Sequence, residues 1–186
     1  MSRDGTKIIF VRHGDAVITT PGMPRSLTEL GRRQAQALVP ALSHRVIIAI
    51  WSSSMLRAKQ TAEIIGAALG LPINPDDRLR ERRDEDPAPG VTAENDDPAT
   101  VLHRLLSIVT EASVRHRSQT VLFVTHGGIT ALGLSSRCHN LSRQYVDANP
   151  LINTAVSEIT VDPSGVWTCL TWNGQPVPVG TGGSTP

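Results

Sequence analysis

Three short apolar runs, residues 7–11, 46–51 and 121–125, do most to restrict what this chain can fold into. They are rich in β-branched residues and show no clean alternation of apolar and polar side chains. Strands read this way when both faces of their sheet are covered. Segments of helical period separate the runs, and that order predicts an α/β fold: a three-layer sandwich with a mostly parallel central sheet and helices on both faces. With 186 residues the chain can bury a substantial core in one domain, drawn here over residues 1–176 with a flexible tail at 177–186.

The helices have readable ends. The first is expected near Ser26, where Ser26 and Glu29 have capping-box spacing, with Leu27, Ala35, Leu38 and Leu42 inward and Pro40 bending or ending it. The second is expected over residues 53–69, with serines as caps, Ala58, Ala62, Ile65 and Leu69 inward, and Gly70 as its stop. A third starts at Asp97-Pro98 and buries Val101, Leu102, Leu105, Ile108, Val109 and Ala112. Residues 155–161 and 166–172 flank Asp162-Pro163-Ser164-Gly165, which predicts an antiparallel hairpin at one sheet edge. The acidic, Pro- and Gly-containing stretch 82–97 reads as an exposed loop.

Composition excludes more than it suggests. Eighteen basic residues against seventeen acidic leave no global field to attract nucleic acid or a membrane surface, so any anion site must be local. Cys138 and Cys169 are too few for a disulfide framework or a zinc knuckle, which fits a reducing cytoplasm. No signal-peptide core and no run of membrane-spanning length is visible, so a cytoplasmic protein is expected. The sequence leaves the oligomeric state open.

The informative residues lie where two predicted strands end. "VRHG" places Arg12 and His13 at the end of the first strand, and "VTHGG" places His126 and Gly127 at the end of the third. Open α/β sheets bind ligands beyond the carboxyl ends of their strands, where backbone N–H groups and helix N-termini converge. Two strands ending in His-Gly can therefore bring two imidazoles and Arg12 to one crevice. "SSSMLRAKQTA" after the second strand adds Arg57 near a helix start.

These pieces, with "SLTELGRRQA" (26–35), "LRER" (79–82) and "NTAVSEI" (153–159), resemble the histidine phosphatase superfamily, also called phosphoglycerate mutase-like, from residue 7 to about 161. The resemblance implies a phosphomonoesterase for a small soluble phosphate ester, requiring no cofactor or metal. His13 would be the nucleophile that carries the phosphoryl group. Arg12, Arg57, His126 and Gly127 would bind phosphate, with His126 adding a donor of positive character. Glu81, from its place in "LRER", would protonate the leaving oxygen, with Asp84 and Glu85 as neighbouring alternatives. "RHGDA" is similar to small phosphohistidine phosphatases, whereas an acid at the "LRER" position is more typical of other members. A mutase, a protein phosphohistidine phosphatase and a non-catalytic phosphate sensor stay open as alternatives. Asp15 with His13 and His126 could be read as a metal set, but two arginines beside it would repel a divalent cation. Arg80, Arg82 and Arg83 are read as facing water, and His44, His103, His116 and His139 as surface residues.

Overall fold

The computed structural model describes residues 5–18, 23–81 and 97–178; all of the expected loop at 82–97 except Asp97, with the alternative acids Asp84 and Glu85, and the end of the expected tail lie outside them. In chain order the elements are β1 (Thr6–Arg12), α1 (Glu29–Ser43), β2 (Ile47–Ser53), α2 (Leu56–Leu69), β3 (Ile73–Asp76), a one-turn 3-10 helix (Asp77–Leu79), α3 (Pro98–Arg115), β4 (Thr120–Thr125), α4 (Gly127–Arg137), α5 (Arg143–Ala148), β5 (Val156–Val161), β6 (Trp167–Trp172) and β7 (Gln175–Pro176). They form one seven-stranded sheet in the order β3-β2-β4-β1-β5-β6-β7. β3, β2, β4 and β1 run parallel to one another. β5, β6 and β7 extend the sheet antiparallel.

The missing alternation in the apolar runs has its explanation in the two cores. Ile8 and Phe10 of β1 point to one face, where Phe123, Leu105, Ile108, Ile129 and Leu134 join them. Ile9 and Val11 point to the other, against Leu42, Ala58, Ala62 and Ile65. Every side chain of such a strand is buried on one face or the other, and each Ile, Leu, Val or Phe removed from water contributes roughly 1.5–3 kcal/mol. Phe10 and Phe123 meet edge to face across the β1–β4 pair, 5.4 Å between centroids.

Local signals explain most helix ends and correct three expectations. Asp97 caps α3 by accepting from the N–H groups of Ala99 and Thr100, with Pro98 following it, and Gly70 closes α2 at φ 68°. The cap of α1, however, is Thr28 rather than Ser26: its Oγ1 accepts from Gly31 N–H, because Ser26 and Leu27 are drawn into pairing with residues 16–17. Nor does Pro40 end α1, which runs on to Ser43 with the Ser43 hydroxyl donating to the Pro40 carbonyl. α2 begins at Leu56, after a Met55 cap that makes no side-chain bond; Ser53 instead accepts from Met55 N–H. The elements without a readable pattern are β3, which is four residues with a proline at the sheet edge, α4, which opens on two glycines, and the six-residue α5. Among the described residues no helix is long and apolar enough to cross a membrane.

Candidate active site

β1 and β4 are neighbours in register, with Arg12 opposite Thr125, so the residues that follow, His13 and His126, leave the sheet side by side. The ladder continues one step further through a bond from His13 N–H to the Thr125 carbonyl. The imidazole centroids are 5.1 Å apart. Gly14 has a second role here: a Cβ on it would stand 2.5 Å from the Gly31 carbonyl oxygen, so the turn after β1 lies backbone to backbone on α1. Gly14 N–H donates to Thr61 Oγ1 of α2, which in turn donates to the Arg57 carbonyl, joining the β1 turn to the start of α2.

The partners of His13 dictate its tautomer. Its Nδ1 lies 2.7 Å from the Gly14 carbonyl, which can only accept, so Nδ1 carries the proton. Its Nε2 lies 3.1 Å from Arg57 Nε–H, which can only donate, so Nε2 is a bare lone pair. Burial, followed by the charges of Arg57, Arg12 and Arg25, lowers the His13 pKa from 6.5 to about 3; the bond to Gly14 works the other way and is outweighed. The ring is therefore an uncharged base at neutral pH.

His126 is fully buried. Burial, with the nearby charges of Arg57, Arg80 and Arg12, holds it well below 6.5, so it is a neutral donor rather than the positively charged one expected from the sequence. Its Nε2 is 2.8 Å from Ser53 Oγ. Among the described residues the Ser53 hydroxyl has no other acceptor for its proton, so it donates to Nε2 and the ring proton sits on Nδ1. That Nδ1 has no hydrogen-bond partner although it is buried. Buried polar atoms almost always have partners, so the exception singles out Nδ1 as a donor held for something else.

Arg57, expected on a helix start, is 1 % exposed in the first turn of α2. Arg12 is anchored by donation to the Leu151 carbonyl, and a Cβ on Gly127 would come within 3.8 Å of its Cζ, so its guanidinium lies across the N-terminus of α4. Glu81 reaches the same helix end, where its two oxygens accept from Gly128 and Ile129 N–H, both at 2.9 Å. Gly128 is required for this: a Cβ there would be 2.5 Å from Glu81 Oε1. Arg12, His13, Arg57, Glu81, His126 and Gly127 thus share one end of the sheet. The Asp15 carboxylate accepts from Thr28 and Asn153, and no group of three or more His, Cys, Asp or Glu side chains arranged to hold a metal occurs among the described residues.

Sequence reasoning missed several contributors. Ser53 and Thr61 were legible only as a cap and a helix residue, yet both are fully buried around the imidazoles. Arg80, expected to face water, bonds Ser54 and is close enough for its charge to act on His126. Arg25 returns towards the crevice because residue 16 pairs with residue 27 and its Nε–H donates to the Val17 carbonyl. No spacing rule in the sequence reports that contact.

Two imidazoles and two arginines meet at the carboxyl end of a parallel sheet, a set of groups suited to holding a phosphoryl group. The description of the histidine phosphatase superfamily (branch 1) matches residues 8–87 and 82–175, and the chain belongs to that family. The phosphoglycerate mutase-like protein 4 of Arabidopsis thaliana is 25% identical over 203 residues, covering 91% of this chain and 85% of its own. Among solved structures, YhfR of Bacillus stearothermophilus superposes with a TM-score of 0.74 at 25% identity, covering 96% of this chain and 98% of its own. Mycobacterial glucosyl-3-phosphoglycerate phosphatase has the same fold, with a TM-score of 0.74 at 23% identity, covering 90% of this chain and 98% of its own.

Proposed function

We propose that this protein is a metal-independent phosphomonoesterase that hydrolyses a small soluble phosphate ester through a phosphohistidine on His13. The observation that carries this reading is the His13 ring itself, whose neighbours leave Nε2 unprotonated and beside a guanidinium. Nε2 attacks phosphorus, the P–N bond forms, and the bond to the leaving oxygen breaks. Arg12 and Arg57 balance charge on the transferring oxygens, and the His126 Nδ1–H donates to one of them. Glu81 protonates the leaving oxygen, so that an alcohol rather than an alkoxide departs. In the second step the Glu81 carboxylate takes a proton from water, the water oxygen attacks phosphorus, and inorganic phosphate leaves with His13 restored.

The phosphatase named among the structural neighbours supports hydrolysis, and the mutase-like name of the plant relative favours a second reading, transfer to another acceptor. The two are separated by following the phosphoryl group with a phosphorylated metabolite panel: hydrolysis releases one inorganic phosphate for each ester consumed, while a mutase yields an isomeric ester. On a chromogenic aryl phosphate, His13→Ala should lose at least about 10³-fold in kcat. Wild-type enzyme quenched in turnover should carry an acid-labile phosphoryl group that His13→Ala lacks, and chelator should leave turnover unchanged. Normal turnover by His13→Ala, or activity removed by chelator and restored by a divalent ion, would refute the mechanism.

A further inference from the structure

The short segment that delivers Arg80 and Glu81 to the site has little structure of its own. After β3 it makes one 3-10 turn, Asp77–Leu79, and a turn that short gives its carbonyls a single helical partner, the Arg80 N–H that donates to Asp77 at 3.0 Å. The structure accounts for them from outside. Arg104, on α3, places a single Nη1 within hydrogen-bond distance of three of them: Asp77 (3.1 Å), Arg78 (3.3 Å) and Arg80 (3.2 Å). The fourth, Leu79, accepts from the buried Thr125 hydroxyl at the end of β4, 2.7 Å away. The next residue is Glu81, whose carboxylate then spans Gly128 and Ile129.

Further along the same helix, Ser107 and Glu111 bind the Arg78 guanidinium at 3.1 and 2.8 Å, and Asp76 chelates it from the other side. Residues 104, 107 and 111 follow one another at helical spacing, so a single stripe of α3 holds the segment from Asp76 to Arg80. The adjacent stripe, Val101, Leu105, Ile108 and Ala112, is buried in the core and keeps α3 in place. The segment is thus tied to α3 by Arg104 and to β4 by Thr125, the strand that also delivers His126.

We infer that Arg104 is a positioning residue for the leaving-group step: by gathering the carbonyls of residues 77, 78 and 80 it fixes where Glu81 stands relative to the phosphoryl site. The bonds given above run to the backbone of the segment that carries Glu81, so it acts on the site through that segment. The inference rests on the reading of Glu81 as the proton donor. A cation holding three carbonyls is a stronger anchor than neutral donors, because charge-assisted hydrogen bonds are about twice as strong. Small displacements of an acid from its proton-transfer geometry are expensive, since general acid catalysis needs the donor within hydrogen-bond reach of the leaving oxygen.

The test compares Arg104→Met and Arg104→Gln with wild type on an alkyl phosphate, whose leaving group needs a proton, and on a nitrophenyl phosphate, whose leaving group does not. Both variants should lose roughly 30- to 100-fold in kcat on the alkyl ester and less than about 3-fold on the aryl ester. Competitive inhibition by inorganic phosphate should change by less than about 3-fold, because the phosphoryl-binding groups are untouched. In the Glu81→Gln background, adding Arg104→Met should cost nothing more on the alkyl ester, since residues acting as one unit are not additive. Equal losses on both esters, no loss on either, or losses that multiply with Glu81→Gln would overturn the inference. If Glu81→Gln alone lowers both esters equally, the failure belongs to the acid role of Glu81 and is visible before any Arg104 variant is measured. Should one Arg104 variant not fold, the other supplies the comparison, with a melting curve as the check on each.

Discussion

His13 and His126 show how much of a residue's chemistry is imposed by its neighbours. An isolated histidine is partly protonated near neutrality, and its two tautomers compete. Here the Gly14 carbonyl and Arg57 Nε–H leave His13 one tautomer, and burial beside arginines removes the charged form. The same logic gives Ser53 its value, because its hydroxyl decides which nitrogen of His126 carries the proton. Ring-proton NMR offers a direct check: the His13 shift should stay constant from about pH 8 to about pH 5, whereas an inflection near 6.5 would show that the imidazole is not held neutral. Arg12, His13, Arg57 and His126 were legible because each lies within a few residues of a strand end, where a local rule applies. Ser53, Thr61 and Arg104 were not, because their roles depend on what lies across from them rather than on what precedes them.

At the scale of elements, strand register and helix capping do the positioning. One register places Arg12 opposite Thr125, and both histidines follow from it. α4 offers the N–H groups of Gly128 and Ile129 to Glu81 only because Gly128 carries no side chain, although glycine is a poor helix former. α1 tolerates a proline at position 40, exposed and within the last turn, where the lost backbone bond is partly offset by rigidity in the unfolded chain. Pro40→Ala should therefore raise unfolding stability by about 1–2 kcal/mol, read as a higher melting temperature with unchanged turnover. A lower melting temperature would mean that the ring's packing outweighs the restored hydrogen bond. The periodicity rules located α1, α2, α3 and the hairpin to within a few residues, and missed α4 because two glycines at its start carry no helical signal.

For the molecule as a whole, the two buried imidazoles carry a consequence for stability. Both have folded pKa values below 6.5, so the unfolded chain binds protons that the native state refuses. Stability contributed by keeping them neutral is fully present above pH 6.5 and declines as pH falls towards the folded values, with a limiting slope of about 1.4 kcal/mol per pH unit for each ring. Asp76, whose carboxyl is held below 3.8 by the Arg78 guanidinium, adds a loss of the same sign only at lower pH. Thermal unfolding between about pH 6.5 and 4.5 should therefore report the histidines, and His126→Asn should flatten that part of the curve even if its absolute stability is lower. A wild-type melting temperature that is constant across this window would contradict the assignment of neutral rings.

The order of residues along the chain was enough to determine an α/β sandwich with covered strands and a strand-end crevice holding two histidines and two arginines. Hydrophobic period, caps and strand-end motifs are local, and local patterns survive in a linear string. What only the tertiary structure decided is which groups meet across the sheet: the lone pair left on His13, the loss of charge on His126, and the hold of α3 on the segment bearing Glu81. Those outcomes depend on burial and on partners more than twenty residues away in sequence, as with Arg57 and His13 or Arg104 and Arg80. Desolvation and hydrogen-bond geometry act between neighbours in space, and no spacing along the chain records them.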